Sequence, residues 1–174
     1  MLKVSNMKRL LLIICIFSFL FISCEESKLK EEAYKIERSE LDNSLGFDWF
    51  RQNYNDYTPN ANSISVISSE YNSDYKFVIF VKPTCSCQGT QFDFPHLVKT
   101  FDNSNVPTSS YEIWSCAKES YEHPYMSQLQ IMDLPACFIF KNGVPVYSVL
   151  DTFNLRNQSD TVMVEEIIME ALSK

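Results

Sequence analysis

Two cysteines separated by one residue, Cys85 and Cys87, are the side chains whose types and spacing most directly favour chemistry. Thiols this close can form a disulfide, but its ring is smaller than that of a Cys-x-x-Cys pair and is expected to be cramped. A strained disulfide is easier to reduce than a relaxed one. The spacing therefore predicts a better oxidant or isomerase than reductant.

The segments on either side predict how these thiols are positioned. Residues 77–81 are an unbroken apolar run rich in β-branched and aromatic side chains, which is typical of a strand buried on both faces. Pro83 ends that strand, and residues 92–101 predict a helix. Because the free N–H groups at a helix start favour an anion, we expect Cys85 to have a lowered pKa and to be a good nucleophile.

A second segment, residues 134–143, reads LPACFIFKNG and combines a Leu-Pro pair, an apolar run and an Asn-Gly pair. Asn-Gly between apolar runs is the strongest short hairpin signal, so residues 137–140 and 144–150 are predicted to be paired strands. A terminal helix is predicted next, capped by Ser159 or Asp160, because apolar residues recur at helical spacing from Val164 to Leu172.

The order of these elements resembles the thioredoxin superfamily from residue 76 to the C-terminus. The resemblance implies an α/β fold with a central mixed β-sheet and helices on both sides. It also implies that Cys85 is the attacking thiol and Cys87 the resolving thiol. The superfamily proline is cis and packs against the cysteines, so Leu134 and Pro135 are expected to bind substrate backbone, and Pro135 to keep metal ions from the thiols.

The chain departs from that superfamily at three positions. Its motif is Cys85-Ser86-Cys87 instead of Cys-x-x-Cys, Thr84 replaces a tryptophan, and Ile79 replaces a buried acid that helps proton transfer. A second interpretation is therefore a redox-inert interaction module that keeps the fold as a scaffold.

The positions of two further thiols predict their roles. Cys116 follows a predicted strand at residues 110–114 and would lie at the same sheet edge as Cys85, which makes it a candidate resolving or structural thiol. Cys137 falls within a predicted strand and is interpreted as a small buried hydrophobe.

A copper-handling protein is a third interpretation, because thiols can hold a soft ion. His96 and His123 are the only histidines, and neither stands at a spacing that makes it a clear partner of the two cysteines. We therefore predict no metal site and no cofactor.

The N-terminal residues predict targeting to the cell envelope. A basic head and the apolar run of residues 10–22 are typical of a signal peptide, here residues 1–23. The run is too short to span a bilayer comfortably. Residues 21–24, FISC, resemble a bacterial lipobox, so Cys24 is predicted to be lipidated and to anchor the protein to the inner or outer membrane of a diderm bacterium. Residues 24–42 are predicted to be a solvated tether and residues 43–174 the domain.

The charge of the chain limits its partners. The formal net charge is −7, and loss of residues 1–23 would remove three positive charges and leave −10. With no basic stripe, nucleic acid is not an expected partner. Attachment to a membrane would depend on the lipid alone. The expected partners are protein thiols and a reducing or oxidising protein.

The first part of the domain leaves its topology open. Residues 43–54 predict a helix and residues 64–67 a short strand. The link from that strand to residue 76 is too short for a helix. Either a helix precedes the strand, or the sheet has an antiparallel edge.

Overall fold

The computed structural model describes residues 31–159 and 161–174. The predicted signal peptide, Cys24, the first residues of the predicted tether and Asp160 lie outside that range, so these assignments stay predictions. Within the described range, no helix is long and apolar enough to cross a membrane.

Five strands form one mixed sheet in the order β1-β3-β2-β4-β5. Their bounds are Tyr34–Ile36 for β1, Tyr75–Val81 for β2, Tyr111–Ser115 for β3, Ala136–Lys141 for β4 and Val144–Ser148 for β5. Strands β2 and β3 are parallel, and every other neighbouring pair is antiparallel. The buried run predicted at residues 77–81 is thus the central strand, with neighbours on both sides.

Helices flank this sheet, and the protein is an α/β domain. Their bounds are Arg38–Asn43 for α1, Asp48–Asp56 for α2, Ala61–Glu70 for α3, Phe94–Asn103 for α4, Val149–Arg156 for α5 and Val164–Leu172 for α6. A π-helical turn, Gly89–Asp93, leads into α4. Pro95 is the second residue of α4, directly after this π-helical turn.

The two faces of the sheet are covered differently. Alternate residues of β2 belong to two separate apolar clusters, with Phe77 and Ile79 in one and Val78 and Phe80 in the other. The first cluster contains the buried side chains of the helices. The second is completed by side chains from the irregular segment 116–134, such as Ile131. Helices were expected on both sides, but on this second face an irregular segment takes their place.

The prediction of a solvated tether is wrong for residues 31–42. Strand β1 pairs with β3 at the edge of the sheet, and α1 follows it. Ile36 and Leu41 are buried in the main core, with exposed fractions of 2% and 0%. A segment rich in charges thus joins the fold through the β1–β3 pairing and these two buried apolar residues.

The predicted strand at residues 64–67 is also wrong, because these residues lie in α3. The Asn60 side chain accepts hydrogen bonds from the backbone N–H groups of Asn62 and Ser63, which caps the helix. Ser63 and Ile67, four residues apart, are its buried positions. The alternative of a helix before a strand at residues 64–67 is therefore wrong, because α3 leads directly into β2. The sheet does have an antiparallel edge, which is formed by β1.

The C-terminal hairpin is confirmed between residues 136 and 148. Asn142 and Gly143 have φ of 54° and 78°, which suits the two central residues of a tight hairpin turn. The second strand ends at Ser148, and Val149 and Leu150, predicted to extend it, begin α5 instead. The terminal helix is confirmed, but it starts at Val164 with Met163 at its N-cap, later than expected.

Candidate functional site

The two cysteines lie in the turn that follows β2, at the centre of the sheet. The backbone N–H of Cys85 donates to the Lys82 carbonyl oxygen over 2.9 Å, which closes the turn. A disulfide joins Cys85 and Cys87, whose Cα atoms are 5.3 Å apart. Both cysteines are half-buried, and Ser86 between them is exposed. Both cysteines are therefore partly open to solvent.

The backbone at the helix start places a hydrogen-bond donor at the Cys85 sulfur. The backbone N–H of Cys87 donates to Cys85 Sγ over 3.2 Å. The Cys87 carbonyl accepts the first helical hydrogen bond, from Gln91 N at 2.9 Å, and the Gln91 amide holds the Cys85 carbonyl at 3.0 Å. A thiolate at Cys85 would receive an N–H donor at the positive end of a helical segment.

Thr90 is a residue of the site that the sequence analysis missed. It is fully buried, and its hydroxyl lies 3.4 Å from Cys87 Sγ and 3.4 Å from the Lys82 carbonyl oxygen. The hydroxyl can donate to either acceptor, so it can follow a change in charge on Cys87. A threonine three residues after a cysteine has no distinctive sequence signal.

Pro135 lies against the turn that carries the cysteines. The Leu134–Pro135 peptide bond is cis. A Cβ atom added to Gly89 would lie 2.6 Å from Pro135 Cδ and 3.1 Å from Cγ, far inside van der Waals contact. Glycine at this position therefore lets the proline ring approach the backbone next to Cys87. That Leu134 and Pro135 bind substrate stays a prediction.

A groove of about 650 Å³ runs past the disulfide. One part of its lining carries the candidate site residues, which are Cys85, Cys87, Gly89, Asp93, His96, Leu134 and Pro135. Another part comes from α5 and the segments that follow it up to α6, and it combines the apolar Phe153, Val162 and Met163 with the polar Asn154, Asn157 and Thr161. The groove can thus receive a polypeptide segment beside the sulfur atoms.

Asp93 is a second groove residue missed by the sequence analysis. It ends the π-helical turn, and burial raises the pKa of its carboxyl to about 6. Its Oδ2 lies 3.7 Å from the position that a Gly89 Cβ would occupy. No described residue donates a hydrogen bond to it. The chain lacks the superfamily's acid at Ile79 but has a partly buried carboxyl elsewhere in the same groove.

The two remaining described thiols are free and buried. Cys116 is 1% exposed, and its backbone N–H donates to the Val81 carbonyl at the end of β2 over 2.8 Å. Burial raises the pKa of the Cys116 thiol to about 11 and that of Cys137 further. Neither forms a disulfide in this structure. Cys116 does lie next to the end of β2, where the sequence analysis expected it.

The two histidines have aromatic partners. His96 lines the groove and stacks on Tyr57, with ring centroids 3.7 Å apart, and His123 packs on Phe80 at 4.6 Å. Burial lowers the pKa of both. Across the part of the chain that the structure describes, no group of three His, Cys, Asp or Glu residues is arranged to hold a metal ion.

Comparisons of this chain with protein families, with curated proteins and with solved structures give no match. The functional assignment therefore depends on the geometry of the disulfide and its groove.

Proposed function

We propose that this protein is a thiol–disulfide oxidoreductase with a thioredoxin-like fold, acting on protein thiols through Cys85 and Cys87. The observation that carries the proposal is the half-buried disulfide at the end of the central strand, with Pro135 packed beside it in an open groove. A structural disulfide needs neither an adjacent groove nor a donor at Cys85 Sγ. A substrate thiol needs access, and a leaving thiolate needs stabilisation.

The reaction proceeds by two sulfur exchanges. A substrate thiolate attacks Cys85 Sγ, the Cys85–Cys87 bond breaks, and its electron pair leaves on Cys87 as a thiolate. A second substrate thiolate then attacks the substrate sulfur of the mixed disulfide and releases Cys85. The substrate dithiol loses two electrons and two protons, and the protein gains both. The same steps in reverse reduce a substrate disulfide.

We place this activity at the cell envelope of a diderm bacterium, anchored through a lipid on Cys24. The proposal is supported by the lipobox-like residues 21–24. Expression with an alkyne-tagged fatty acid should label the wild-type protein and leave Cys24→Ser unlabelled. Equal labelling of the wild type and Cys24→Ser would refute the lipid anchor and leave the redox proposal unchanged.

The proposal is tested by redox titration of the full-length protein in detergent against glutathione, with thiols trapped and mapped by mass spectrometry. We expect Cys85 and Cys87 to interconvert between dithiol and disulfide, and the buried Cys116 and Cys137 to stay unmodified in the native state. A Cys85–Cys87 pair that never forms, or that resists strong reductants, would leave only a scaffold.

Single-cysteine variants separate the roles of the two thiols. We expect Cys87→Ser to accumulate a mixed disulfide when it is given a disulfide-bonded peptide, because the Cys85 thiolate breaks the peptide disulfide and no resolving thiol remains to release the product. Cys85→Ser should lose turnover, while Cys116→Ala should keep it. If Cys85→Ser traps the peptide on Cys87 faster than Cys87→Ser traps it on Cys85, Cys87 is the attacking thiol and Cys85 the resolving thiol.

A further inference from the structure

We propose that the Thr90 hydroxyl becomes the hydrogen-bond donor to the Cys87 sulfur when the Cys85–Cys87 disulfide opens, and that this bond favours the dithiol form. The protein would then act as an oxidant of substrate thiols. The inference rests on the proposed function and assigns its direction. It concerns a side chain that lies against one of the two reacting sulfur atoms.

The Thr90 hydroxyl is a buried polar group with weak partners. Thr90 is fully buried, and its Oγ1 lies 3.4 Å from the Lys82 carbonyl oxygen and 3.4 Å from Cys87 Sγ. Hydrogen bonds from a hydroxyl to oxygen are normally about 2.7–2.8 Å long, so the contact with Lys82 is a long one. An uncharged sulfur is a weak acceptor. The hydroxyl is therefore poorly satisfied while the disulfide is closed, which is unusual for a buried polar group.

Thr100 in α4 provides the comparison. It is equally buried, but its Oγ1 donates to the His96 carbonyl oxygen over 2.9 Å, a normal length for a hydroxyl donor. Thr90 forms no bond this short with any residue that the structure describes. Its hydroxyl can therefore bond more strongly when a better acceptor appears beside it.

Opening the disulfide supplies that acceptor. A substrate thiolate attacks Cys85 Sγ, the sulfur–sulfur bond breaks, and its electron pair leaves on Cys87 as a thiolate. Hydrogen bonds to charged groups are about twice as strong as neutral ones. Because sulfur is larger than oxygen, the separation of 3.4 Å between Thr90 Oγ1 and Cys87 Sγ suits this bond. The hydroxyl needs only to rotate its hydrogen towards the sulfur.

The Lys82 carbonyl oxygen keeps a partner when the Thr90 hydroxyl turns away. It accepts a hydrogen bond from the backbone N–H of Cys85 at 2.9 Å. The rearrangement therefore leaves no buried acceptor unpaired, and its cost is small. When the Cys87 thiolate takes a proton from water, its S–H can donate to Thr90 Oγ1 while the hydroxyl donates to Lys82, because a hydroxyl both donates and accepts.

The direction of electron transfer follows from this difference between the two forms. The Thr90 bond is strong only after the disulfide has opened, so it stabilises the dithiol form relative to the disulfide. The protein gains two electrons and two protons, and the substrate dithiol loses them as it becomes a disulfide. A stabilised reduced form is what makes a dithiol–disulfide protein a stronger oxidant.

The test measures the equilibrium and the rate of disulfide opening by glutathione, with the full-length protein in detergent at pH 7. Thr90→Val keeps the branched side chain and removes the hydroxyl. It should move the equilibrium about fivefold towards the disulfide and slow opening about tenfold, because the departing thiolate loses a donor. Thr90→Ser keeps the hydroxyl and should stay close to the wild type. Thr100→Val, the matched control, removes a buried hydroxyl that bonds only to backbone and should change neither value.

A purely structural role for Thr90 predicts a different pattern. If the hydroxyl only holds the turn through Lys82, Thr90→Val should lower the melting temperatures of the disulfide and dithiol forms equally. We expect the dithiol form to lose more. Equal losses in the two forms, or a glutathione equilibrium that does not move towards the disulfide, would overturn the role of Thr90 and leave the proposed function unchanged.

A second measurement uses the wild type and holds even if Thr90→Val folds poorly. A crystal structure of the dithiol form should keep Thr90 Oγ1 within hydrogen-bond distance of Cys87 Sγ. A Cys87 sulfur that has turned away from the hydroxyl would overturn the inference alone. A wild-type disulfide that glutathione cannot open would overturn the proposed function as well.

Discussion

The two aspartates near the two ends of α4 are both partly buried, yet they have opposite surroundings. Asp93 precedes the helix, faces the disulfide groove and receives no hydrogen bond from a described residue. Asp102, near the other end, accepts hydrogen bonds from Tyr54 at 2.7 Å, Tyr111 at 3.0 Å and Arg38 at 3.0 Å. A carboxylate that accepts hydrogen bonds from several donors contributes to the stability of the fold, whereas a carboxylate without donors can exchange protons.

The Asp102 cluster holds together segments that are far apart in the chain. Its donors come from α1, α2 and β3, and Arg38 also lies over the rings of Phe50 and Tyr54 at 5.4 and 5.0 Å. Burial, together with the bond to Asp102, raises the pKa of Tyr54 to about 12, so its hydroxyl stays a donor at every physiological pH. The cluster thus fixes the N-terminal segment that the sequence predicted to be a tether.

The largest effect is expected for Asp102→Asn. The Arg38 guanidinium loses its partly buried counter-ion, and the amide cannot accept well from three donors, so we expect destabilisation of about 3 kcal/mol. Thermal unfolding should show a melting temperature lower by about 8 °C. The matched control is Asp42→Asn, which removes an exposed partner of the same Arg38 and should change stability by less than about 0.5 kcal/mol. If the two variants lose the same stability, Asp102 contributes no more to the fold than the exposed Asp42.

A smaller effect, at the other end of the comparison, is expected for Gly89→Ala. The added methyl would lie 2.6 Å from Pro135 Cδ, so the turn or the proline must shift, at a cost of about 2 kcal/mol. Disulfide opening by glutathione should also slow. Gly46→Ala is the control, because a Cβ there meets nothing within 4 Å. If the two variants melt at the same temperature, the contact with Pro135 is not a constraint.

The smallest effect is expected for Asp93→Asn, and it has the opposite sign. Its folded-state pKa of about 6 lies above the usual value of 3.8, so ionisation opposes folding. That cost is absent below about pH 4, grows as the pH rises to 6 and is constant above it. After allowance for solvent screening, the variant should be more stable at pH 8 by about 1 kcal/mol and unchanged at pH 4. Urea unfolding at both pH values measures this, and an equal gain at both would contradict a titrating carboxyl.

Local sequence patterns predicted the elements that position the cysteines. The buried run of β2 and the Asn142-Gly143 turn depend on neighbouring residues alone, and both are found where expected. The helix α3 was misjudged because Ile64, Val66 and Ile67 are β-branched, while the cap at Asn60 and the buried pair Ser63 and Ile67 carried the correct signal. Local propensity yielded there to tertiary packing.

The chemistry of the site was only partly accessible from sequence. Cys85, Cys87 and Pro135 could be singled out by type and by resemblance. The burial of Asp93 and the contact of Thr90 with Cys87 Sγ depend on tertiary packing around the π-helical turn, and no spacing rule describes that packing. Glu165, which is 1% exposed and accepts from Tyr57, was likewise hidden among the charged residues of the terminal helix.

The contact between Gly89 and Pro135 also constrains how this sequence can change over time. The proline ring fills the space that any side chain at position 89 would need. The order in which substitutions occur at the two positions therefore affects stability. Alanine at 89 should cost less stability after a smaller residue has replaced Pro135, whereas the reverse order passes through a clashing intermediate. A saturation library at these two positions should therefore show strong epistasis, with glycine retained at 89 wherever proline is retained at 135.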